Sequence, residues 1–481
     1  LLVSTDHPHA AFLTGGLPSL YAKTALPIII LMLMSGLLNL TDAWFLGVFA
    51  GEQALAAVTV SFPIFMVLSA LGMLVASGMS SLLARALGRG DRREAETLFA
   101  SAHTLSLCIS GVLIVLFALG GVPILTRLSL GDAALAGQAA RYIGVLVWAS
   151  PVMLILSVQA DGLRNEGQAG FMALAGLGVT LGNIVFNAIL IVGLDMGAAG
   201  AAIGTVLAQG LSVAVILLWR MRQARLMSPP ISSWVGTRRG WGQMLALGAP
   251  PALGLFGVAL GSLTVLSVLQ LGAVADYQGV VAAYGVATRV MTFVILPVIG
   301  LAQALQTITG VNHGAGLTGR MRESLRFALL AALAYGLVVE GGVMLFADQI
   351  GGWFVSGEAL APQIAFILRR LMALFALGAP LFLFSLYFQA QGDALRAAIM
   401  GLAKPYALFI PLVMALGLAL GPNAIWWASP LADLGVLALA ILLFATGGGM
   451  THDTSPAGAR SSRLGPDAGG ADDVRDTPGE P

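Results

Sequence analysis

Twelve times along this chain an apolar run long enough to cross a bilayer follows the last, separated only by short polar stretches. The runs fall at roughly 24–47, 54–84, 95–120, 135–163, 168–192, 197–219, 243–271, 278–309, 324–347, 360–390, 394–420 and 424–446, and about 20 predominantly apolar residues suffice for one crossing. Hydrocarbon offers the backbone no hydrogen-bond partners, so each run must close its bonds internally as a helix. Only 10% of the 481 residues are charged and 58% are hydrophobic; a water-soluble globule of that balance could not cover its surface. The first run, from about Ala25, is longer than a signal-peptide core and lacks a small-residue cleavage site, so it reads as a retained span.

Basic residues set the orientation. With the N-terminus inside, the inward sets are Lys23, then Arg85, Arg89, Arg92 and Arg93, then Arg164, then Arg220, Arg222, Arg225, Arg238 and Arg239. Arg320, Arg322 and Arg326 follow, then Arg396 and Lys404, and finally Arg460, Arg463 and Arg475. Arg127, Arg141, Arg289, Arg369 and Arg370 fall on outer loops or within helices. The positive-inside rule then places both termini in the cytoplasm of a protein of the inner (plasma) membrane. A net charge of +1 excludes a nucleic-acid binder working by bulk charge. The single cysteine, Cys108, excludes a disulfide framework or a cysteine metal cluster. Beyond 446 the chain turns to Gly, Pro, Asp and Ser, the composition expected of a disordered cytoplasmic tail.

The two halves of the chain resemble each other. Gly88-Arg89-Gly90 after the second span returns as Gly314-Ala315-Gly316 after the eighth, and Gly131-Asp132-Ala133 returns as Gly357-Glu358-Ala359, both at an offset of 226. Gly167 matches Gly392, Pro27 finds Pro250 or Pro251, and Pro151 and Pro380 mark spans four and ten with a small length difference. Six spans per unit is an even number, so the units enter the membrane in the same direction as parallel repeats. The expected fold is an all-α polytopic membrane protein of 12 transmembrane helices in two pseudo-symmetric six-helix lobes. Its parts are a cytoplasmic segment (1–23), a first lobe (24–220), a cytoplasmic linker (221–242), a second lobe (243–446) and the tail (447–481). Many secondary transporters are built from such repeats, with the substrate site between them.

An ionisable residue at mid-membrane depth is a functional candidate by default, because a central Asp costs about 2.5–3.5 kcal/mol. At 1.5 Å per residue, Asp42 lies roughly 28 Å up from the inner face, and Asn183 and Asn187 roughly 20 and 25 Å up. Thr205 reaches a similar depth from the outer turn at Gly197. Asn183 and Asn187 are four apart and share a helix face. A carboxylate, two amide oxygens and a hydroxyl at one depth suit a hard cation such as Na⁺; alternatively a desolvated Asp42 carries H⁺. Asp161, three residues before Arg164, reads as a helix-end ion pair. Glu340 and Asp433 lie mid-span in the second lobe as further coupling or cavity candidates, and Arg289 within span eight is expected to pair with an acid or a carbonyl. Pro27 removes a backbone hydrogen bond from the helix that carries Asp42 and is a candidate kink or hinge. The methionines of spans one and two, among them Met32 and Met79, either line an adaptable cavity or pack between helices.

Several stretches together resemble the multidrug and toxic compound extrusion (MATE) family. They are ALPIIILMLMSGLLNLTDAWFLG in span one, LLARALGRGDRREAE after span two, and GLRNEGQAGFMALAGLGVTLGNIVFNAILIVGLDMGAAGAAIGT from span four into span six. The second half adds VVAAYGVATRVMTFVILPVIGLAQALQTITGVNHGAG and IWWASPLAD. The resemblance covers about 20–446. It implies a two-lobed exporter that exchanges Na⁺ or H⁺ for a small amphipathic, typically cationic substrate, and it maps Asp42, Asn183, Asn187 and Thr205 onto the family's cation site. Spans seven and ten carry none of the acids of the norfloxacin-type branch, which places the chain nearer the branch named for DNA-damage induction. Many relatives there carry Asp where this chain has Asn187.

A lipid-linked oligosaccharide flippase of the same superfamily is the alternative, but it would need several Arg or Lys in the cavity to hold a pyrophosphate. An enzyme is not expected, since no HExxH, GxSxG or paired-carboxylate motif is present. No cofactor is expected beyond the coupling ion, no nucleic-acid partner, and no obligate subunit: a monomer in lipid.

Overall fold

Aspartate and glycine punctuate the chain and decide where its helices stop and start. Helix α3 (Glu52–Gly88) ends before Gly90, whose φ of +73° only glycine adopts freely, and Asp91 then caps α4 (Arg92–Leu128) by accepting the Glu94 N–H at 2.9 Å. The second half repeats the glycine: α10 (Tyr277–Gly314) ends before Gly316 at φ +74°, and α11 (Thr318–Phe354) follows. Asp132, Asp276 and Asp393 cap α5 (Ala133–Trp148), α10 and α14 (Ala394–Leu402) in the same way.

The computed structural model describes residues 10–129, 132–223, 227, 236–272, 276–354 and 360–446. Within them, the side chains of 10, 37–40, 42–44, 47, 52, 55, 128, 353, 354 and 446 are not described. A short α1 (Ala10–Thr14) precedes α2 (Leu17–Phe45), which passes without interruption through Pro27 and ends in a π-helical turn, Leu46–Ala50. Span four is a pair, α5 and α6 (Ser150–Asn165), bent by 49°. Next come α7 (Ala169–Asn187) with a π-helical end, Ala188–Gly193, then α8 (Gly197–Arg222) and α9 (Trp241–Leu271). Span ten is again a pair, α12 (Leu360–Leu371) and α13 (Phe375–Gln391), bent by 52°. Span eleven joins α14 through a π-helical stretch, Ala403–Phe409, to α15 (Ile410–Leu420), and α16 (Ala428–Thr446) closes the bundle. With each bent pair counted once, twelve helices cross the membrane, as the apolar runs require.

Both halves place their bend in the fourth span, as a duplication demands. The two prolines there are not equivalent: Pro151 is the second residue of α6, where a missing N–H costs nothing, whereas Pro380 lies six residues into α13. α13 begins 225 residues after α6, close to the repeat offset, so Pro380 sits deeper in its half-helix than Pro151, and the wider gap before α13 reflects an earlier end of α12. The first-span helix starts at Leu17, ahead of the expected boundary at 24, and α8 and α9 leave a linker slightly shorter than 221–242. The tail from 447 lies outside the described residues.

In the first lobe α2 packs on α7, α7 on α8, and α3 on α4, α5 and α6; in the second, α10 and α11 pack on α12 and α13, and α9 on α14 and α15. Between the lobes, α3 meets α9 and α10, and α2 meets α10. Glycines make these crossings close. A Cβ at Gly88 would collide with the Val311 carbonyl, and one at Gly314 with the Arg85 carbonyl, two contacts related by the same 226-residue offset as the sequence repeat. Gly78 and Gly248 admit the Met244 and Leu74 carbonyls between α3 and α9. These contacts sit at the end of the bundle that carries the basic loops, here termed the basic end.

Two further ties lie there, one between the lobes and one on the linker. The α1 helix docks under the second lobe: Phe12 is buried, and its carbonyl accepts from Asn312 Nδ2 and Arg320 Nε, each at 3.1 Å. At the other end of the first lobe, Arg220 donates to Glu166 Oε2 at 2.5 Å and to the Met227 carbonyl at 2.9 Å. The Met227 N–H returns a bond to Glu166 Oε1, so the linker is pinned where it leaves α8. Burial pushes the Glu166 carboxyl above its ordinary range, and the Arg220 guanidinium beside it pulls it back.

Gly88→Ala and Gly314→Ala are each expected to cost about 1–3 kcal/mol, because the new methyl meets backbone that cannot retreat. Gly111→Ala, where a Cβ meets nothing within 4 Å, should instead stabilise α4 by about 0.5–1 kcal/mol. Apparent melting temperatures of the purified protein in detergent would separate the two outcomes.

Candidate functional site

Helix α7 turns Asn183 and Asn187 onto one face, toward α8, and both are fully buried. Asn187 Nδ2 donates to Asn183 Oδ1 at 2.9 Å, Asn183 Nδ2 donates to Thr205 Oγ1 at 2.9 Å, and the hydroxyl donates to the Ala201 carbonyl at 3.0 Å. Gly204 makes this approach possible, since a Cβ there would lie 2.5 Å from Asn187 Oδ1. The three polar residues thus form one hydrogen-bonded chain between spans five and six. Asp42 stands in α2, which packs on α7, but its side chain lies outside the described residues. Among the described residues no three of His, Cys, Asp and Glu come together. A cation held here would draw on neutral oxygens and at most one carboxylate.

Asp161 is placed apart from that chain. Its carboxylate lies 3.2 Å from Arg164 Nη1, and Arg164 is 1% exposed and reaches across to the second lobe. Arg164 donates to Gln303 at 2.5 Å and Gln306 at 3.1 Å, both on α10, and to Ser80 Oγ at 2.9 Å. Gln306 donates to Gln389 at 2.7 Å, Gln389 donates to Ser77 at 2.9 Å, and Ser81 donates to the Gln389 carbonyl. Arg164, read from sequence only as the helix-end partner of Asp161, is therefore the centre of a buried polar lock that closes the basic end. Gln303, Gln306 and Gln389 carried no weight in the sequence reading. Their signal was available: three glutamines in apolar spans must find partners.

Glu340 has a structural task. One carboxylate oxygen accepts the Leu374 N–H at 3.0 Å and the other the Ala376 N–H at 2.9 Å. Those amides begin α13 at the bend of span ten, where Leu374 holds a left-handed φ of +66°. The carboxylate both satisfies two orphan donors and faces the positive end of the half-helix. Position 114, its counterpart in the first half, is isoleucine, and Ala149 at the first-half bend has no side-chain cap.

Asp433 is 4% exposed and paired with Lys404 Nζ at 2.6 Å. This corrects the counting of Lys404 with the inward-facing cations. It follows Ala394 by ten residues within span eleven, roughly 15 Å along the helix. Arg289 is exposed on α10, without the acid or carbonyl partner expected for it among the described residues. It shares a face with Phe293 and Leu296, which meet Gly36 of α2. Met79 is buried in a core with Phe99 and Leu247, a packing role rather than a cavity lining. His103 is likewise fully buried, between the Phe99 carbonyl at 2.7 Å and Gln159 at 3.0 Å.

Two parallel six-helix repeats, joined at one end by a polar lock and carrying paired charges at membrane depth such as Lys404–Asp433, define a membrane transporter rather than an enzyme. The MatE family model matches the chain twice, over residues 27–189 and 255–418, once in each lobe; the chain belongs to this family. It is 24% identical over 442 residues to the multidrug export protein MepA of Staphylococcus aureus, covering 90% of this chain and 94% of that protein. The MepA of Staphylococcus saprophyticus is 23% identical over 420 residues, covering 87% and 91%. Among solved structures, a MOP superfamily transporter from Pyrococcus furiosus superposes with a TM-score of 0.81 at 23% identity, over 92% of this chain and 97% of that one. A MATE structure in the bent conformation superposes with a TM-score of 0.82 at 23% identity, over 90% and 96%.

Asp161→Leu should lower the apparent melting temperature more than the double variant Asp161→Leu/Arg164→Met, because a buried guanidinium stripped of its carboxylate costs about 3–5 kcal/mol. Glu340→Leu, which orphans two amides, should cost about 2–6 kcal/mol at about 1–3 kcal/mol per unmade bond. Glu340→Gln, which keeps one acceptor, should cost roughly half as much by the same reckoning.

Proposed function

We propose that the chain is a secondary active multidrug exporter of the inner membrane, expelling amphipathic cationic compounds in exchange for H⁺ or Na⁺. The buried Asn187–Asn183–Thr205 chain carries this reading, because it gathers neutral oxygen ligands on α7 and α8 beside the helix that bears Asp42. The MepA relatives, named as multidrug export proteins, support the substrate class. In this reading the basic end and both termini face the cytoplasm, and the protein works as a monomer in lipid.

The cycle runs as ion exchange. With the basic end locked, the ion enters from the far side and neutralises Asp42, and the first lobe releases its cationic cargo. The lock around Arg164 then opens, the ion leaves to the cytoplasm, and Asp42 regains the charge that attracts the next cation. Asp42 alone changes charge in this site, so a second carboxylate is not required. Pro27 lies 15 residues before Asp42 in the same helix, where the missing hydrogen bond gives α2 a point of compliance. The lack of acids in spans seven and ten favours the DNA-damage-inducible-type branch. A flippase reading is disfavoured by the cations themselves: Arg369 is paired with Asp348 at 2.6 Å, and Arg370 stacks over Phe366.

Proteoliposomes carrying the full chain and a fluorescent amphipathic cation test this directly. Under an imposed ΔpH or ΔpNa, wild-type protein should drive efflux with one of the two gradients, and Asp42→Asn should abolish it. Gradient-driven efflux that survives in the variant would refute the coupling assignment.

A further inference from the structure

The pair Lys404–Asp433 is the second lobe's counterpart of the Asn183–Thr205 contact. Each joins the fifth helix of its repeat to the sixth, and each of those fifth helices carries a π-helical stretch, a feature frequent at functional positions. Moved by the repeat offset of 226, Asn183 and Thr205 fall at Phe409 and Leu431, five and two residues from Lys404 and Asp433 and on their far side. The first lobe therefore offers neutral oxygens at this interface, and the second a fixed charge pair.

Its two members differ in access. The Asp433 side chain is 5% exposed and backed by Gly378, where a Cβ would lie 2.9 Å from Oδ1. The Lys404 side chain is 40% exposed. It lies on the stripe Met400–Lys404–Leu408: Met400 belongs to the lobe core and Leu408 packs against Gly435 of α16, whereas Ala407 and Pro411 form the exposed outer face. An intramembrane charge faces the bundle interior or a water-filled cavity. An ammonium has three donors, and among the described residues Lys404 makes one hydrogen bond, to Asp433. A ligand that reaches this pair from inside the lobe meets unused N–H donors on a cation, and not the carboxylate behind it.

We propose that Lys404, held in place by Asp433, is an anion-accepting site inside the second lobe that takes the carboxylate of an amphipathic substrate. The proposal rests on the export reading and assigns the second lobe a seat, Lys404, for the carboxylate of a zwitterionic substrate.

The test compares two dyes that differ only at the acid: rhodamine 110, with a free carboxylate, and rhodamine 123, its methyl ester. Binding is measured on the full chain in nanodiscs, and efflux in proteoliposomes. Wild type should bind and expel both. Lys404→Met combined with Asp433→Asn removes the pair without stranding a buried charge, and should lower the acid-to-ester affinity ratio by about tenfold or more, the worth of a charged hydrogen bond. An unchanged ratio in the double variant overturns the site. Wild type that handles the ester but not the acid also overturns it, while leaving the export reading intact. Wild type that handles neither dye overturns both.

Discussion

A charge placed in hydrocarbon has to be compensated on the spot, and that requirement organises most of the polar structure of this protein. Asp433 is met by Lys404, Asp161 by Arg164, and Glu340 by two backbone amides at the start of a half-helix. In each case the partner comes from another helix, or from a position three residues away in the same one. Every such pairing fixes a relation between helices that apolar packing alone would leave free, because lipid tails are as apolar as leucine. The polar residues are few, and each has a geometric consequence.

The same economy separates the two halves. A duplicated unit begins with two equivalent lobes, yet Glu340 stands where the first half has Ile114, and a charge pair stands near the place of an amide and a hydroxyl. The bend of the fourth span is uncapped and unstrained at Ala149, but at Leu374 it is left-handed and held by a carboxylate. Among the described residues the first lobe keeps its buried charges near the basic end, where Asp161 meets Arg164 and Glu166 meets Arg220. The second has acquired charges and partners together, since neither member of a pair is tolerable without the other.

The spans were legible because length and apolarity are one-dimensional properties: α3, α9 and α16 begin and end within a few residues of the apolar runs. The grouping of Asn183, Asn187 and Thr205 was partly legible, because helical spacing sets a face and the rise per residue sets a depth. Partners across helices were not legible. Glu340 reads from sequence as a mid-span acid, and only the fold brings the Leu374 and Ala376 amides to it. Lys404 was counted with the inward cations for a related reason: it follows Arg396 by eight residues, and its acid partner lies 29 positions on in another helix. Arg164 was read only as the helix-end partner of Asp161, because nothing local announces that Gln303 and Gln306 await it.

The docking of α1 and the pinning of Met227 have a mechanical consequence when taken together. The first lobe is attached to its neighbour's side at its chain entry, through Phe12 on Asn312 and Arg320, and its chain exit is clamped at Arg220 and Glu166 before the chain crosses over. The first tie crosses to the second lobe and, with the Gly88–Val311 and Gly314–Arg85 contacts, holds the lobes along one rim, while the second fixes where the linker departs. The freedom left to the lobes is a tilt about that rim, as a book opens about its spine. The contacts that join the lobes lie on the basic rim, so the widest travel belongs to the opposite rim.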